Sequence, residues 1–284
     1  MTNAPGHAPA AAFFVHGGAG DVFAVYHATP VRRTSPCDVI VVPPFAEEMN
    51  KSRRMLAWQA RELTARGFGV LILDLYGTGE SQGDFAQARW SIWRQDLAAA
   101  CAWLESHGSG EISLLGVRFG ALLALDVARD SGKRFGRIVL WQPVTNGETM
   151  MTQFLRMRIA ASALGGVSEK ETTQSLRDRL ARGEAIEVAG YELGSELVRA
   201  IDALRLESMA DRGSPPIDWL DLCVEPGGDL SPASGRVIES WRSKGVRVDS
   251  RAVTGPAFWS SAEIAVAPEL IGITADVFAR SGAE

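Results

Sequence analysis

The stretch Ile112-Ser-Leu-Leu-Gly-Val-Arg-Phe-Gly-Ala-Leu-Leu-Ala-Leu125 predicts a buried strand, a tight Gly-x-x-x-Gly turn and a helix. Such a segment is typical of a nucleophile elbow, in which the middle residue takes a strained backbone conformation and the flanking glycines relieve crowding. Gly116 and Gly120 occupy the glycine positions, and Arg118 stands at the apex. Because a guanidinium group is not an acyl-transfer nucleophile, the stretch predicts the backbone of such an elbow without its usual serine.

Composition limits the class of protein. The chain has 284 residues, of which 46% are hydrophobic and 22% charged, and this predicts one large α/β domain over residues 1–284. A net charge of −5 argues against a nucleic acid or an anionic membrane surface as the main partner. No window approaches the ~18 apolar residues of a transmembrane helix, so no membrane span is expected.

The pattern of cysteines favours reduced thiols and argues against a metal site. Cys37, Cys101 and Cys223 lie in apolar runs at unrelated spacings, which favours neither a disulfide framework nor a CxxC motif. We expect all three to be reduced core residues, with no metal and no cofactor. The N-terminus has neither a cluster of positive charge nor a secretory apolar region, so a cytoplasmic protein is expected.

The order of elements predicts an architecture. Two short apolar runs around a glycine-rich turn indicate an antiparallel hairpin, after which strands and helices alternate. From about 144 to 213 this alternation gives way to helical periodicity, where we expect a helical cap or lid. Together these features predict an α/β-hydrolase fold, with a mostly parallel, doubly wound sheet. The predicted strands are Ala12–His16, Phe23–Ala28, Asp38–Val42, Gly69–Leu75, Ile112–Leu115, Arg137–Gln142, Trp219–Val224 and Val246–Val253. The predicted helices are Lys51–Arg66, Ala88–Ser106, Ser231–Lys244 and Pro268–Arg280, in addition to the helix after the elbow.

Two loop motifs and the elbow carry a family resemblance. Pro44-Phe-Ala-Glu-Glu-Met-Asn-Lys-Ser-Arg-Arg-Met55, Asp74-Leu-Tyr-Gly-Thr-Gly-Glu-Ser-Gln-Gly-Asp-Phe85 and the arginine-bearing elbow resemble the second of the hydrolases associated with the exosortase A system. Those proteins are α/β hydrolases related to serine aminopeptidase-like enzymes. The resemblance implies a place in bacterial loci for exopolysaccharide and for PEP-CTERM protein sorting. Pro43 departs from the family pattern, which has a histidine before Pro-Phe, so any role of that imidazole is in doubt here.

The triad of this fold follows the order serine, acid, histidine, with the histidine in the last loop. All four histidines, His7, His16, His27 and His107, precede the elbow. The last loop carries Gly255-Pro-Ala-Phe-Trp259, so that Phe258 or Trp259 stands where the base belongs. With both serine and histidine absent, the sequence predicts no catalytic residues of the ordinary triad.

Asp229 is the remaining candidate for the acid. It lies in Gly227-Gly-Asp-Leu-Ser-Pro232, which resembles the acid loop of triad hydrolases. Aspartate is also a preferred helix N-cap, so the favoured interpretation is that Asp229 caps the helix beginning near Ser231.

Three further features imitate reactive groups. Gly79-Glu-Ser-Gln-Gly83 satisfies the Gly-x-Ser-x-Gly pattern, but no apolar helix follows it, and Ser81 is therefore assigned to a loop or cap. His16-Gly-Gly resembles an oxyanion-hole motif, yet its place in the first hairpin indicates a simple turn. Cys223 lies in an apolar strand and is expected in the core rather than at a reactive site.

The remaining candidates for a site are charged loop residues. The loops after three strands open at the carboxyl ends of the sheet, where ligands of α/β proteins bind. We expect Arg118 to lie there either paired with Glu47, Glu48 or Asp74, or as an anion site at a helix N-terminus. The full set of candidate ligand-binding residues is Arg118, Glu47, Glu48, Asn50, Lys51, Asp74, Tyr76, Phe119 and Trp259.

Three functions remain open from the sequence. The first is an altered α/β hydrolase that binds a small-molecule or polymer-linked anionic ligand. The second is an ester or thioester hydrolase in which a carboxylate of the charged loops, rather than a serine, activates water. The third is a non-catalytic scaffold for a partner enzyme, and a protein partner or a homo-oligomer fits this reading. An open pocket beside Arg118 favours the first two, and a closed one favours the third.

Overall fold

The computed structural model describes residues 10–31, 37–164 and 171–280. Within them an eight-stranded sheet has the order β1-β2-β4-β3-β5-β6-β9-β10. Strand β2 runs antiparallel to β1 and β4, and all other neighbours are parallel. The strands are β1 (Ala10–His16), β2 (Asp21–His27), β3 (Cys37–Val42), β4 (Phe68–Leu73), β5 (Glu111–Val117), β6 (Ile138–Trp141), β9 (Ile217–Cys223) and β10 (Val248–Thr254).

Helices cover both faces of this sheet. They are α1 (Glu47–Ala65), α2 (Trp90–Ser106), α3 (Gly120–Asp130), α7 (Pro232–Ser243) and α8 (Pro268–Arg280). In β3, Val39 and Val41 belong to one buried cluster together with residues of α1 and α8, whereas Ile40 and Val42 belong to a second cluster with residues of α2, α3 and α7. This alternation explains the continuous apolar run of β3, because successive side chains of a strand point to opposite faces and both faces are covered here.

The predicted α/β-hydrolase fold is confirmed, including the N-terminal hairpin and its mostly parallel sheet. The element bounds differ from the predicted ones by a few residues. The largest difference is at α1, which begins at Glu47 rather than Lys51. Its first turn contains Glu47 and Glu48, and acidic side chains there complement the positive end of the helix dipole.

Between β6 and β9 the chain forms helices α4 (Gly147–Leu164), α5 (Thr173–Ala181) and α6 (Ser195–Asp202). A small hairpin, β7 (Ile186–Val188) with β8 (Tyr191–Leu193), lies between α5 and α6. The periodicity of the sequence predicts only helices in this insertion. The sequence does not predict this hairpin, because each of its strands has only three residues. Its turn is Ala189-Gly190, with φ of 51° and 84°, rather than a more typical Asn-Gly turn.

The insertion is closed at its base by backbone pairing. Asn146 and Arg205 form an antiparallel bridge, the Gly147 amide donates to the Leu204 carbonyl, and the Leu206 amide donates to the Thr145 carbonyl. The chain therefore leaves the sheet after β6 and returns toward β9 at nearly the same place.

The cysteines differ in burial, contrary to the expectation that all three are core residues. Cys101 is fully buried on α2, and burial raises the pKa of its thiol to about 12. Cys37 and Cys223 lie at strand ends and are half-buried, and all three are free thiols. None of the helices among the described residues is long and apolar enough to cross a membrane.

Candidate functional site

The elbow forms as the glycines predict. Arg118 lies between β5 and α3 with a φ of 54°, in the left-handed region. A Cβ atom on Gly120 would lie 2.2 Å from the Val42 carbonyl oxygen, and one on Gly116 would lie 2.6 Å from the Cα atom of Ala121. Both glycines are therefore required by close backbone approach, and the tight turn carries Arg118 to the carboxyl edge of the sheet.

Backbone strain is concentrated at this edge. Among the described residues, four other than glycine have positive φ, and three of them follow the neighbouring strands β3, β5 and β6. These three are Ala46 (φ 50°), Arg118 (φ 54°) and Gln142 (φ 41°). Strained residues of this kind collect at functional sites, so the backbone itself marks this edge as the candidate site.

The Arg118 guanidinium has partners on three sides. Its Nε and Nη2 atoms donate to the two carboxylate oxygens of Glu48 at 3.3 and 3.2 Å, and Nη1 donates to the Gln142 carbonyl oxygen at 3.0 Å. The Trp259 ring lies 4.6 Å from the guanidinium carbon, in cation–π contact. Since a guanidinium carries five N–H groups, two of them have no protein partner among the described residues.

A slot of about 200 Å³ opens on one side of Arg118. Its apolar wall consists of Phe45, Met150, Phe154, Met157 and Trp259. We refer to this cavity as the slot. Met150, Phe154 and Met157 come from α4, at helical spacings of four and three residues that place them on one helix face. These three residues were not among the predicted site residues, although their spacing in the sequence indicates a shared helix face.

The charged residues of the slot form two ion pairs. Arg118 pairs with Glu48 at 3.2 Å, and Lys51 pairs with Glu47 at 3.1 Å. All four line the cavity. The slot thus has a charged floor whose charges balance, under an apolar wall.

A second, wider cavity of about 800 Å³ also borders Arg118, and we refer to it as the groove. It lies between the start of the insertion, from Gln142 to Gln153, and the first turn of α7. Arg118, Met150 and Gln153 line both cavities. Gln142 was also absent from the predicted site, because its role depends on a strained backbone that the sequence does not show.

Four of the predicted site residues lie outside both cavity walls. Asp74 accepts two hydrogen bonds from Arg53, at 2.9 and 3.2 Å, and Asn50 donates to the Tyr191 hydroxyl at 2.9 Å. The Tyr76 amide donates to Asp96. Phe119 is buried, with its ring edge-on to Phe45, Trp90 and Trp93. Each therefore has a structural environment of its own, whereas Arg118, Glu47, Glu48, Lys51 and Trp259 come together at the slot.

The last loop presents an aromatic ring to the elbow. Phe258 is fully buried, edge-on to Trp141, and Trp259 is the residue in contact with Arg118. The sequence allowed either residue at the position of a base. The structure places Trp259 against the apex and Phe258 beneath it.

The expectation that Asp229 caps α7 is wrong. Ser231 is the N-cap, and its hydroxyl accepts from the Ser234 amide at 3.1 Å. Asp229 is exposed in the preceding loop. A buried carboxylate supports the cap instead, since Asp221 accepts from the Trp219 indole and from the Ser231 amide. Proline at N1 makes Ser231 the natural N-cap, and this was the overlooked signal.

Ser81 and His16 have structural surroundings. The Ser81 hydroxyl donates to the Asp74 carbonyl oxygen and accepts from the Phe23 amide, both at 2.7 Å, so it ties its loop to β2. His16 is exposed beside Asp21, and Gly18 donates its amide to Asp96. Burial raises the pKa of the Asp96 carboxyl, and its hydrogen bonds from Gly18 and Tyr76 oppose that shift. Cys223 is half-buried, and its thiol donates to the Glu225 carbonyl.

Comparison with known proteins agrees with the α/β-hydrolase fold. Residues 39–185 match the family model described as serine aminopeptidase, S33. No curated protein matches the sequence. Similar solved structures include Est1E from Butyrivibrio proteoclasticus with ferulic acid bound, at 14% identity, covering 96% of this chain and 100% of that one with a TM-score of 0.69. They also include XC6422 from Xanthomonas campestris, described as a serine hydrolase without a lid, at 13% identity, with 98% and 96% coverage and a TM-score of 0.56.

At such identities the solved structures establish the fold alone. The family match covers more than half of the chain and includes both the elbow and the start of the insertion. The chain therefore belongs to the serine aminopeptidase S33 family of α/β hydrolases.

Proposed function

We propose that this chain is a member of its family that binds an anionic ligand at Arg118 and does not use a Ser-His-Asp triad. The ligand is a small molecule or a group carried on a polymer. The observation that carries the proposal is the placement of Arg118. It stands at the apex of an intact elbow, is held by Glu48, the Gln142 carbonyl and Trp259, and still lines two open cavities.

The loss of the catalytic pair is part of the proposal. A triad needs a nucleophile at the apex and a base in the last loop, and removing either one abolishes most of the rate. Arg118 stands at the first position, and Trp259 packs against it from the last loop. Asp229 is exposed in its loop, and the sequence has no histidine beyond residue 107 for it to orient.

The binding role follows from the state of the guanidinium. A fully enclosed Arg118 would favour a closed scaffold, but its side chain is 18% exposed and two of its N–H groups have no partner among the described residues. Those donors suit an oxygen of a carboxylate or a phosphate. Because Glu48 already offsets the charge of Arg118, binding has to draw on further contacts along the two cavities.

The wider setting is also proposed. The loop motifs that resemble the second hydrolase of the exosortase A system support a role in exopolysaccharide or PEP-CTERM processing, in the cytoplasm. The α4 helix lines the slot, which supports a cap role for the insertion over residues 144–213.

Two measurements test the proposed function. The purified protein should not hydrolyse 4-nitrophenyl acetate above the rate in buffer. Inorganic phosphate or butyrate should change the tryptophan fluorescence saturably, because Trp259 contacts Arg118. Arg118→Ala should weaken that binding about tenfold, as expected for a hydrogen bond to a charged group, while the circular dichroism spectrum stays unchanged.

Arg54→Ala is the matched control, because Arg54 is exposed on α1 and lines neither cavity. Equal binding by the wild-type and Arg118→Ala proteins would contradict the anion site. Ester turnover that persists in Ser81→Ala would contradict a purely binding role and would favour the charged loops as a non-serine catalyst.

A further inference from the structure

We propose that the ligand is an amphiphile, with a short apolar group in the slot and a phosphate-bearing hydrophilic head in the groove, joined where it crosses Arg118. This inference deepens the proposed function and rests on it. It names the chemical class of the ligand from the contrast between the two cavities that flank the elbow.

The two cavities are neighbours along one path. Arg118, Met150 and Gln153 line both of them, so a single ligand that lies over these three side chains would reach both. The slot, at about 200 Å³, is smaller than the ~300–1,000 Å³ of pockets that hold a whole ligand, whereas the groove, at about 800 Å³, lies within that range. The slot therefore suits one end of a larger molecule.

The slot selects an apolar end. Phe45, Phe154 and Trp259 are nearly buried, and together with two methionines they form its wall. The ionic groups of its floor are already paired with each other, which leaves no net charge to attract an anion. A short acyl chain or one aromatic ring fits these surroundings, because burying its apolar surface gains free energy without leaving a charge unpaired.

The groove selects a polar, anionic end. Its wall includes Thr145, Asn146, Thr149 and Ser231, which offer hydroxyl and amide groups. Arg236, on the first turns of α7, lines the groove and is exposed, with no ion pair among the described residues. An unpaired guanidinium beside several hydroxyl groups suits a phosphate, whose three terminal oxygens accept several hydrogen bonds at once.

Arg205 and Glu207 add little net charge to the groove. Arg205 pairs with Glu148 at 2.8 Å, and Glu207 accepts from the Ser240 hydroxyl and lies 3.9 Å from the Lys244 ammonium. Among the described residues, Arg236 is thus the cation of the groove that has no counter-ion, and the anionic head is expected beside it. Arg118, with its two remaining N–H groups, would donate to the phosphate oxygen nearest the tail.

The size of the slot also favours a soluble source over a membrane lipid. A short group fits within about 200 Å³, and the long acyl chain of a phospholipid does not. We therefore expect affinity to rise with chain length for short alkyl phosphates and then to level off.

The test compares three probes on the full chain by isothermal titration calorimetry: inorganic phosphate, hexyl phosphate and dodecyl phosphate. Hexyl phosphate should bind at least about 30-fold more tightly than inorganic phosphate, because its alkyl group leaves water. Dodecyl phosphate should bind no more than about threefold more tightly than hexyl phosphate. In a co-sedimentation assay, the protein should not pellet with vesicles that contain phosphatidic acid.

Two variants divide the site. Arg236→Ala should weaken both inorganic and hexyl phosphate about tenfold. Met157→Gln, at an exposed position of the slot wall, should weaken hexyl phosphate and leave inorganic phosphate unchanged, because it removes apolar surface without adding charge. Arg156→Ala and Arg156→Gln are the controls, because Arg156 is exposed on α4 next to Met157 and lines neither cavity.

Three results would overturn the amphiphile: hexyl phosphate binding no more tightly than inorganic phosphate, Arg236→Ala behaving like Arg156→Ala, or sedimentation with vesicles, which would assign the site to a membrane lipid. Failure of the proposed function has a different signature. In that case Arg118→Ala leaves the binding of every probe unchanged, whatever the effect of chain length.

Discussion

At the residue scale, Arg118 combines a strained backbone with a satisfied side chain. A left-handed conformation is costly for arginine, and the surrounding structure holds it through the Arg118 amide, which donates to the Trp141 carbonyl, and through the Arg118 carbonyl, which accepts from Val144 and Ala121. The side chain then reaches Glu48, which lies 70 positions earlier in the chain. The backbone of the elbow thus positions the side chain at its apex at the carboxyl edge of the sheet, whichever residue stands there.

The glycine that follows the apex offers the sharpest test of this geometry. Gly120→Ala should destabilise the fold by about 1–3 kcal/mol, because the added Cβ would lie 2.2 Å from the Val42 carbonyl oxygen and 2.6 Å from that of Pro43. The free energy of unfolding in urea measures the loss.

Gly235→Ala is the matched control. Gly235 is also helical, in α7, but a Cβ atom there meets nothing within 4 Å. Alanine should therefore stabilise the protein by about 0.5–1 kcal/mol, through helix propensity. If the two variants had the same sign and size of effect, the close approach of α3 to β3 would not be a feature of the protein in solution.

At the element scale, substitutions at the start of α7 distinguish two candidate N-caps, Ser231 and Asp229. Ser231→Ala should cost about 0.5–2 kcal/mol, because the hydroxyl accepts from the Ser234 amide at the helix start. Asp229→Ala should stay within about 0.5 kcal/mol of the wild type, since Asp229 is exposed outside the helix. Thermal unfolding of both variants measures the difference. A larger loss from Asp229→Ala would restore it as the cap.

The same scale shows what the sequence can predict. Strands such as β3, and long helices with caps or regular apolar spacing, were predicted to within a few residues, because burial on one or both faces leaves a periodic pattern. The hairpin β7–β8 was missed, since three-residue strands carry almost no period. The start of α1 was placed four residues late, because its first turn is acidic rather than apolar.

The site was predicted only in part, for a physical reason. Residues that follow neighbouring strands of the sheet, such as Glu48 and Arg118, can be predicted to lie close together, because the topology fixes where the strands end. Met150, Gln153 and Arg236 come from the insertion and from α7, and their approach to Arg118 depends on tertiary packing. No local pattern of the sequence encodes that packing.

At the scale of the whole molecule, stability should depend on pH through His27 of β2. Burial and the nearby charge of Arg61 lower the pKa of this imidazole below its ordinary value of 6.5. Above that value His27 is neutral in both folded and unfolded chains and contributes nothing to the pH dependence. Below it the unfolded chain binds a proton that the folded chain resists, so stability falls as the pH falls.

The midpoint of urea unfolding should therefore change less between pH 6.5 and 5 in His27→Gln than in the wild type. Urea unfolding at several pH values measures this, and an NMR titration of the imidazole gives the folded pKa directly. A wild-type slope that survives in the variant would assign the acid sensitivity to other groups.

The paired base of the insertion has a consequence for how this molecule changes over evolutionary time. Because Asn146 and Arg205 are paired, the segment between them begins and ends at the same place beside the sheet. Exchanging that segment for another would leave the strand order untouched, yet it would replace Met150, Phe154 and Met157 together. Such an exchange would change most of the apolar wall of the slot in one step, while Arg118 and its elbow stay unaltered.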